Sequence, residues 1–182
     1  MTALIEGFFG FVWFGWGQAN ASSGLRVLLA AGGVVAALVA LAGGVQAFRS
    51  PASTSALHDR QAWRRYGRIV GVEFTLAGVG AAVLAVAGQG DFIPVWICAV
   101  VGVHFFPLAF LLKDRLLVPL GVLTTTVALV ALIAGLATDL APSSVTGIGA
   151  GVLLTVFAVT ALAGIQIETA TLRPTTTGRS QA

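Results

Sequence analysis

Long apolar stretches alternate with short polar or charged connections along this chain. Six such stretches fall at about 2–18, 25–48, 66–88, 92–112, 116–137 and 145–166. Because a helix needs about 20 apolar residues to cross a membrane, each stretch has roughly the length of one spanning helix. The pattern predicts an all-α integral membrane protein built as a six-transmembrane-helix bundle.

The composition agrees with a membrane protein and limits its size. Of the 182 residues, 57% are hydrophobic and 9% are charged, and the mean hydropathy is +0.96. Soluble domains carry roughly 25% charged residues, so a water-soluble fold is excluded. We predict a single transmembrane domain over residues 1–172 and a disordered cytoplasmic tail over residues 173–182.

The basic residues are divided unequally between the two predicted membrane faces. Nine of the ten Lys and Arg residues fall on the side of the second and fourth connections and the tail: Arg49, Arg60, Arg64, Arg65, Arg68, Lys113, Arg115, Arg173 and Arg179. The other side carries Arg26, Asp91 and Asp139. By the positive-inside rule, both termini are predicted to be cytoplasmic, an N-in/C-in topology.

This distribution also bears on partners and location. The net charge of +3 is assigned to orientation in the lipid bilayer, and no nucleic-acid partner is expected. The Ala-, Gly- and Arg-rich composition is typical of a GC-rich bacterial genome, so the expected location is the inner (plasma) membrane of a bacterium. The longest connection ends in a basic segment at 57–65, predicted to be a short interfacial helix or an extension of the third span.

Two ionisable residues lie at matching depths in the third and fourth spans. Glu73 lies eight residues after Arg65, and His104 lies nine residues before Lys113. At a helical rise of about 1.5 Å per residue, both are roughly 12–14 Å from the same membrane face. Ionisable groups are costly in hydrocarbon, so each indicates a functional site with a partner. We predict that Glu73 and His104 line a proton- or ligand-binding site that opens toward the cytoplasm.

A proline follows the histidine and changes the expected local structure. Pro107 is predicted to kink the fourth span and to leave the carbonyl of Val103 without its helical donor. In a membrane that carbonyl needs a neighbour or water, so a wet cavity is expected beside His104. The alternative is a neutral His104 that is hydrogen-bonded in a dry helix interface.

The first span carries an acid among aromatic residues. Four of its residues share one helical face: Glu6, Gly10, Trp13 and Gly17. One interpretation is an aromatic-walled pocket beside a carboxylate, suited to a cationic or planar ligand, with Glu6 and Trp13 next to the Glu73 and His104 site. The other is that Trp13 and Trp16 belong to an interfacial aromatic belt.

Small residues occur at helical spacing in several spans and predict close helix packing. They comprise Gly32-Gly33, Gly43-Gly44, Gly67-x-x-x-Gly71, the series Ala77, Ala81 and Ala85, and Gly147-x-Gly149-x-Gly151. Such faces also make a homodimer a reasonable expectation. The run Thr124-Thr125-Thr126 is expected to bond back to its own helix, and the single Cys98 is expected in the core.

The polar residues bear on three classes of function. A Glu/His pair that exchanges a proton near neutral pH suits a proton-linked transporter or channel for a small solute of cationic or aromatic character. The alternative is a non-transporting scaffold, subunit or immunity-type partner protein in which the polar residues are structural. An enzyme is not expected, because no HExxH motif and no nucleophile placed beside a base are present. No cofactor and no metal are expected, although Glu6, Glu73 and His104 would suit a divalent ion chemically.

Overall fold

The structure, a computed structural model, describes residues 2–49 and 60–171, and the described chain consists of helices joined by short turns. Its α-helices are α1 (Thr2–Gly17), α2 (Ser23–Arg49), α3 (Arg60–Val86), α4 (Ile93–Leu112), α5 (Leu117–Ala137) and α6 (Pro142–Thr171). A single 3-10 turn, Gly90–Phe92, precedes α4. The predicted all-α class is confirmed, and the predicted tail, 173–182, lies outside the described residues.

Five of these helices are long and apolar enough to cross a membrane. They contain the segments Ser23–Arg49, Trp63–Val86, Gly90–Leu112, Leu117–Ala137 and Pro142–Gly164. The remaining helix, α1, has 16 residues, which gives it a length of about 24 Å, slightly less than the roughly 30 Å hydrocarbon core. The described chain is therefore a multi-pass, membrane-type helical bundle.

The third helix starts earlier than the apolar pattern indicates. It begins at Arg60, six residues before the predicted start at 66, so the basic segment continues α3 and is not a separate helix in the part described. Arg and Gln are good helix formers, and long Arg side chains can reach the membrane surface from the end of a spanning helix. The third helix ends close to prediction, with Gly88 at a positive φ of 72° in the turn.

Hydrogen bonds gather three connections at one end of the bundle. The Asn20 side-chain amide donates to Asp91 Oδ1 at 3.3 Å and to the hydroxyl of Ser143 at 3.4 Å. The Ser144 hydroxyl donates to the carbonyl of Gly17 at 3.1 Å. The ends of α1, α3 and α5 thus meet at one face, as expected for helices that run alternately up and down.

The first helix packs between α2 and α6 with the backbones in contact. A Cβ placed on Gly7 would lie 2.7 Å from the backbone nitrogen of Ala40, and one on Gly43 would lie 2.6 Å from that of Leu4. At the crossing with α6, a Cβ on Gly147 would overlap the backbone of Gly17. These positions have no room for a side chain, which agrees with the predicted role of the small residues.

A second set of contacts joins α4, α5 and α6 to α1 in the main core. Its buried members are Trp13, Val95, Cys98, Ala109, Leu117, Leu120, Ala128, Ala131, Ala150 and Leu154. The thiol of Cys98 donates to the Thr124 carbonyl at 3.4 Å. The hydroxyls of Thr125 and Thr126 donate to carbonyls one turn earlier, as predicted. The Thr124 hydroxyl is buried without a hydrogen-bond partner among the described residues, so the prediction is wrong for Thr124.

In contrast, α3 is peripheral. None of the residues in its apolar segment is buried, whereas 22% to 33% are buried in the other four. Its chief neighbour among the described elements is α4. A Cβ added to Gly67, Gly71 or Gly78 would meet nothing within 4 Å. The Gly67 and Gly71 part of the predicted stripe therefore faces away from the rest of the described chain, whereas Ala77 and Ala81 are half-buried.

The crossing of α1 and α6 is expected to depend on the absence of a side chain at residue 147. Gly147→Ala should lower the free energy of unfolding by about 1–3 kcal/mol, because the new methyl group forces two backbones apart. Gly164→Ala is the matched control, since a Cβ there meets nothing within 4 Å on the same helix. The free energy of unfolding of both variants is measured in detergent micelles. Equal values for the two would contradict the packing described.

Candidate functional site

Glu73 and His104 are in direct contact across the interface between α3 and α4. The Nδ1 atom of His104 lies 3.1 Å from Oε2 of Glu73, and the two side chains are 10% and 17% exposed, respectively. The contact holds either as a neutral imidazole N–H donating to the carboxylate or as an ion pair. The equal depth counted from the sequence thus corresponds to a contact in the structure.

Helical spacing places both residues on the walls of one cleft. On α3 the spacing of three and four residues aligns Ile69, Glu73 and Leu76, and on α4 it aligns Trp96 with Val103. The cleft has a volume of about 500 Å³ and is lined by Arg68, Ile69, Val72, Glu73, Leu76, Trp96, Ala99, Val100, Val103, His104 and Pro107. Ligand sites in proteins typically measure roughly 300–1,000 Å³ and are mostly apolar with a few polar groups. This cleft has that character.

Trp96 is a member of the site that sequence reasoning missed. Its indole N–H donates to the carbonyl of Leu76 at 3.0 Å. Its ring occupies the space left by Gly80, where any Cβ would overlap the indole. Trp96 therefore closes the inner end of the cleft and ties α4 to α3. The signal that could have found this contact is depth in the membrane. Gly80 lies 15 residues after Arg65, and Trp96 lies 17 residues before Lys113, so the two are at similar depths.

Further clefts adjoin this one at both ends. Toward the basic end of the bundle lies a space of about 520 Å³ lined by Arg65, Arg68, Ile69, Pro107, Phe110, Leu111 and Lys113. Beyond Trp96 lies another of about 440 Å³ that reaches Gln89 and Leu136 near the opposite end. The cleft of Glu73 and His104 and the cleft at the basic end share Arg68, Ile69 and Pro107. A series of spaces thus follows α4 from one end of the bundle to the other.

The structure places Glu6 and Trp13 away from this cleft. Both are buried, at 7% and 3% exposure, on a helix that packs against α2 and α6. Oε2 of Glu6 has no hydrogen-bond partner among the residues that the structure describes. Trp13 stacks on Trp16 with ring centroids 5.4 Å apart and packs into the core of α4, α5 and α6.

The predicted four-residue site is therefore divided. The glycine faces of α1 fit closely against α2 and α6, which keeps Glu6 and Trp13 out of the cleft between α3 and α4. Trp13 lies in the protein core and not in an interfacial belt. The set Glu6, Glu73 and His104 is not assembled around a common point, and no group of three potential metal ligands occurs within 2–49 and 60–171.

Pro107 occupies the position expected of it beside the site. The fourth helix continues through this proline from Ile93 to Leu112, and the proline ring lines both the inner cleft and the basic cleft. The predicted kink stays a prediction.

Neither protein-family models, curated proteins nor solved structures showed a match to this chain. Function is therefore inferred from the chemistry of the site.

The Glu73 and His104 contact is expected to appear as an energetic coupling. In a double-mutant cycle of Glu73→Gln and His104→Gln, the coupling energy should be about 0.5–2 kcal/mol, the range for paired polar groups in membranes. The cycle is measured by unfolding in detergent micelles. As a control, Glu6→Gln with His104→Gln should be additive within about 0.5 kcal/mol. A coupling of zero between residues 73 and 104 would refute the contact.

Proposed function

We propose that this protein is a proton-linked transporter or channel for a small solute, with Glu73 and His104 as its proton- and ligand-binding pair. The observation that carries the proposal is the 3.1 Å contact between these side chains on the wall of an otherwise apolar cleft. Helix packing alone does not require a carboxylate at this depth, and ionisable groups inside a membrane mark ion and substrate pathways.

Coupled transport needs a site that binds either a proton or the solute but not both at once, and this pair can provide it. Glu73 can accept a hydrogen bond from His104, bind a proton, or bind a basic group of a solute, and each state displaces the others. The apolar walls and the indole of Trp96 favour a solute with an aromatic or hydrophobic body. A cationic or aromatic solute is therefore the proposed ligand class.

We further propose six membrane crossings with both termini in the cytoplasm, in the plasma membrane of a bacterium. The ends of α1, α3 and α5 lie together at one face, which supports successive helices that cross the membrane in opposite directions. The excess of basic residues on the opposite side supports the orientation. A 16-residue α1 can cross where the bilayer thins locally, at a cost of a fraction of a kcal/mol per Å.

The second candidate is a partner protein that does not transport, and the exposure of α3 favours it. This helix presents Gly67, Gly71 and Gly78 to open space, and small residues let helices approach closely in membranes. A second copy of the chain or another membrane protein would then cover α3. In that case Glu73 and His104 would only hold α3 to α4. In both proposals the protein acts without an enzymatic reaction.

The transport proposal predicts a protonation event at the cleft. Reconstituted protein titrated from about pH 5 to 8 should show proton release with a change in tryptophan fluorescence, because Trp96 lines the same cleft. Glu73→Gln and His104→Ala should each abolish the event. Glu6→Gln should retain it, since Glu6 lies outside the cleft, and Trp96→Phe should remove the fluorescence change alone.

A different outcome would select the second candidate. If no transition occurs, and Glu73→Gln and His104→Ala are only less stable in detergent, the pair is structural. The protein would then be assigned a partner role, with α3 as the docking helix.

A further inference from the structure

Three cations converge at the mouth of the cleft between α3 and α4. Arg65 and Arg68 lie one turn apart on α3, and Lys113 lies at the end of α4, where it adopts a left-handed conformation with φ 55°. All three are exposed. None of them lies within ion-pair distance of an acidic side chain in the part of the chain that the structure describes. The residues that line the mouth therefore include three cations and no acid.

The mouth lies at the level of the membrane surface. Trp63 and Tyr66 are within one turn of Arg65 on α3, and their rings are in edge contact with centroids 5.8 Å apart. Tryptophan and tyrosine are enriched at the level of the lipid headgroups. The cations are thus at the depth where lipid phosphates lie.

The space below the mouth is apolar and open on one side. Ile69 and Pro107 belong to both the basic cleft and the inner cleft. From Arg68 to Leu76 the wall follows α3 for about 12 Å at the helical rise. Only α3 and α4 line the inner cleft, so its remaining side faces the bilayer.

We propose that this groove binds one anionic phospholipid, with the phosphate on Arg65, Arg68 and Lys113 and an acyl chain in the cleft beneath. The charge of the mouth selects a net negative headgroup, and the apolar length below it selects a hydrocarbon chain. A soluble anion would leave the apolar part unfilled, and a zwitterionic lipid would not compensate the charge. The bound chain covers Glu73 and His104 from the bilayer side. This binding does not depend on transport.

The headgroup part of the site is tested with phosphatidylglycerol and phosphatidylcholine added to delipidated protein in detergent and followed by native mass spectrometry. One phosphatidylglycerol per chain should bind at least tenfold more tightly than phosphatidylcholine. The double variant Arg65→Gln/Arg68→Gln should lose on the order of tenfold in affinity or more, because each basic residue near the surface attracts anionic lipid. Arg64→Gln is the matched control, since Arg64 is exposed on α3 but does not line the mouth.

The acyl-chain part is tested with a second pair of variants. Val72 and Val79 are both 60% exposed on α3, but only Val72 lines the cleft. Val72→Trp should weaken phosphatidylglycerol binding severalfold, whereas Val79→Trp should not. Glycerophosphoglycerol, which has the headgroup without the chains, should bind far more weakly than the lipid.

Several outcomes would overturn the proposal. The headgroup site would be refuted if both lipids bound equally well. It would also be refuted if Arg65→Gln/Arg68→Gln and Arg64→Gln changed the affinity equally. Equal binding of glycerophosphoglycerol and lipid, with no effect of Val72→Trp, would make the mouth a site for a soluble anion. Failure of this proposal is distinguishable from failure of transport, because native mass spectrometry counts the lipid bound to the unmodified protein whether or not protons are released.

Discussion

Helices in hydrocarbon gain little from hiding apolar side chains from lipid, so their association depends on how closely they can pack. In this bundle the closest packing surrounds α1, where Gly7 meets the backbone of α2 and Gly17 meets that of Gly147 on α6. The shortest helix thus lies in the best-packed part of the bundle. Trp13 extends that contact into the core of α4, α5 and α6.

The third helix is attached by different means. It has no buried residue in its apolar segment, and it contacts α4 through the Trp96 indole and through the pair of Glu73 and His104. Elements that bind ligands or move are generally drawn from the less stable parts of a structure. The candidate site therefore lies between α4 and the least buried of the five membrane-length helices.

The two ends of the bundle also differ. At one end Asn20 connects the turn after α1 to Asp91 and to Ser143, which ties three connections together. At the other end Arg65, Arg68 and Lys113 have no acidic partner among the described residues and surround an open cleft. The closed end restrains the helices against one another, whereas at the open end the basic cleft continues into the cleft that Glu73 and His104 line.

The sequence by itself determined the features that follow from local geometry and hydropathy. These include the helices, the turn at Gly88, the common depth of Glu73 and His104 and the back-bonding of Thr125 and Thr126, because each depends on helical rise or on neighbouring residues. Only the tertiary structure decided which helices pair. A face of small residues fits many partners, so the pattern did not reveal that α1 fits α2 and α6, which buries Trp13 and separates Glu6 from the cleft. The docking of Trp96 on Gly80 likewise depends on two distant positions, and nothing local in either sequence segment requires the other.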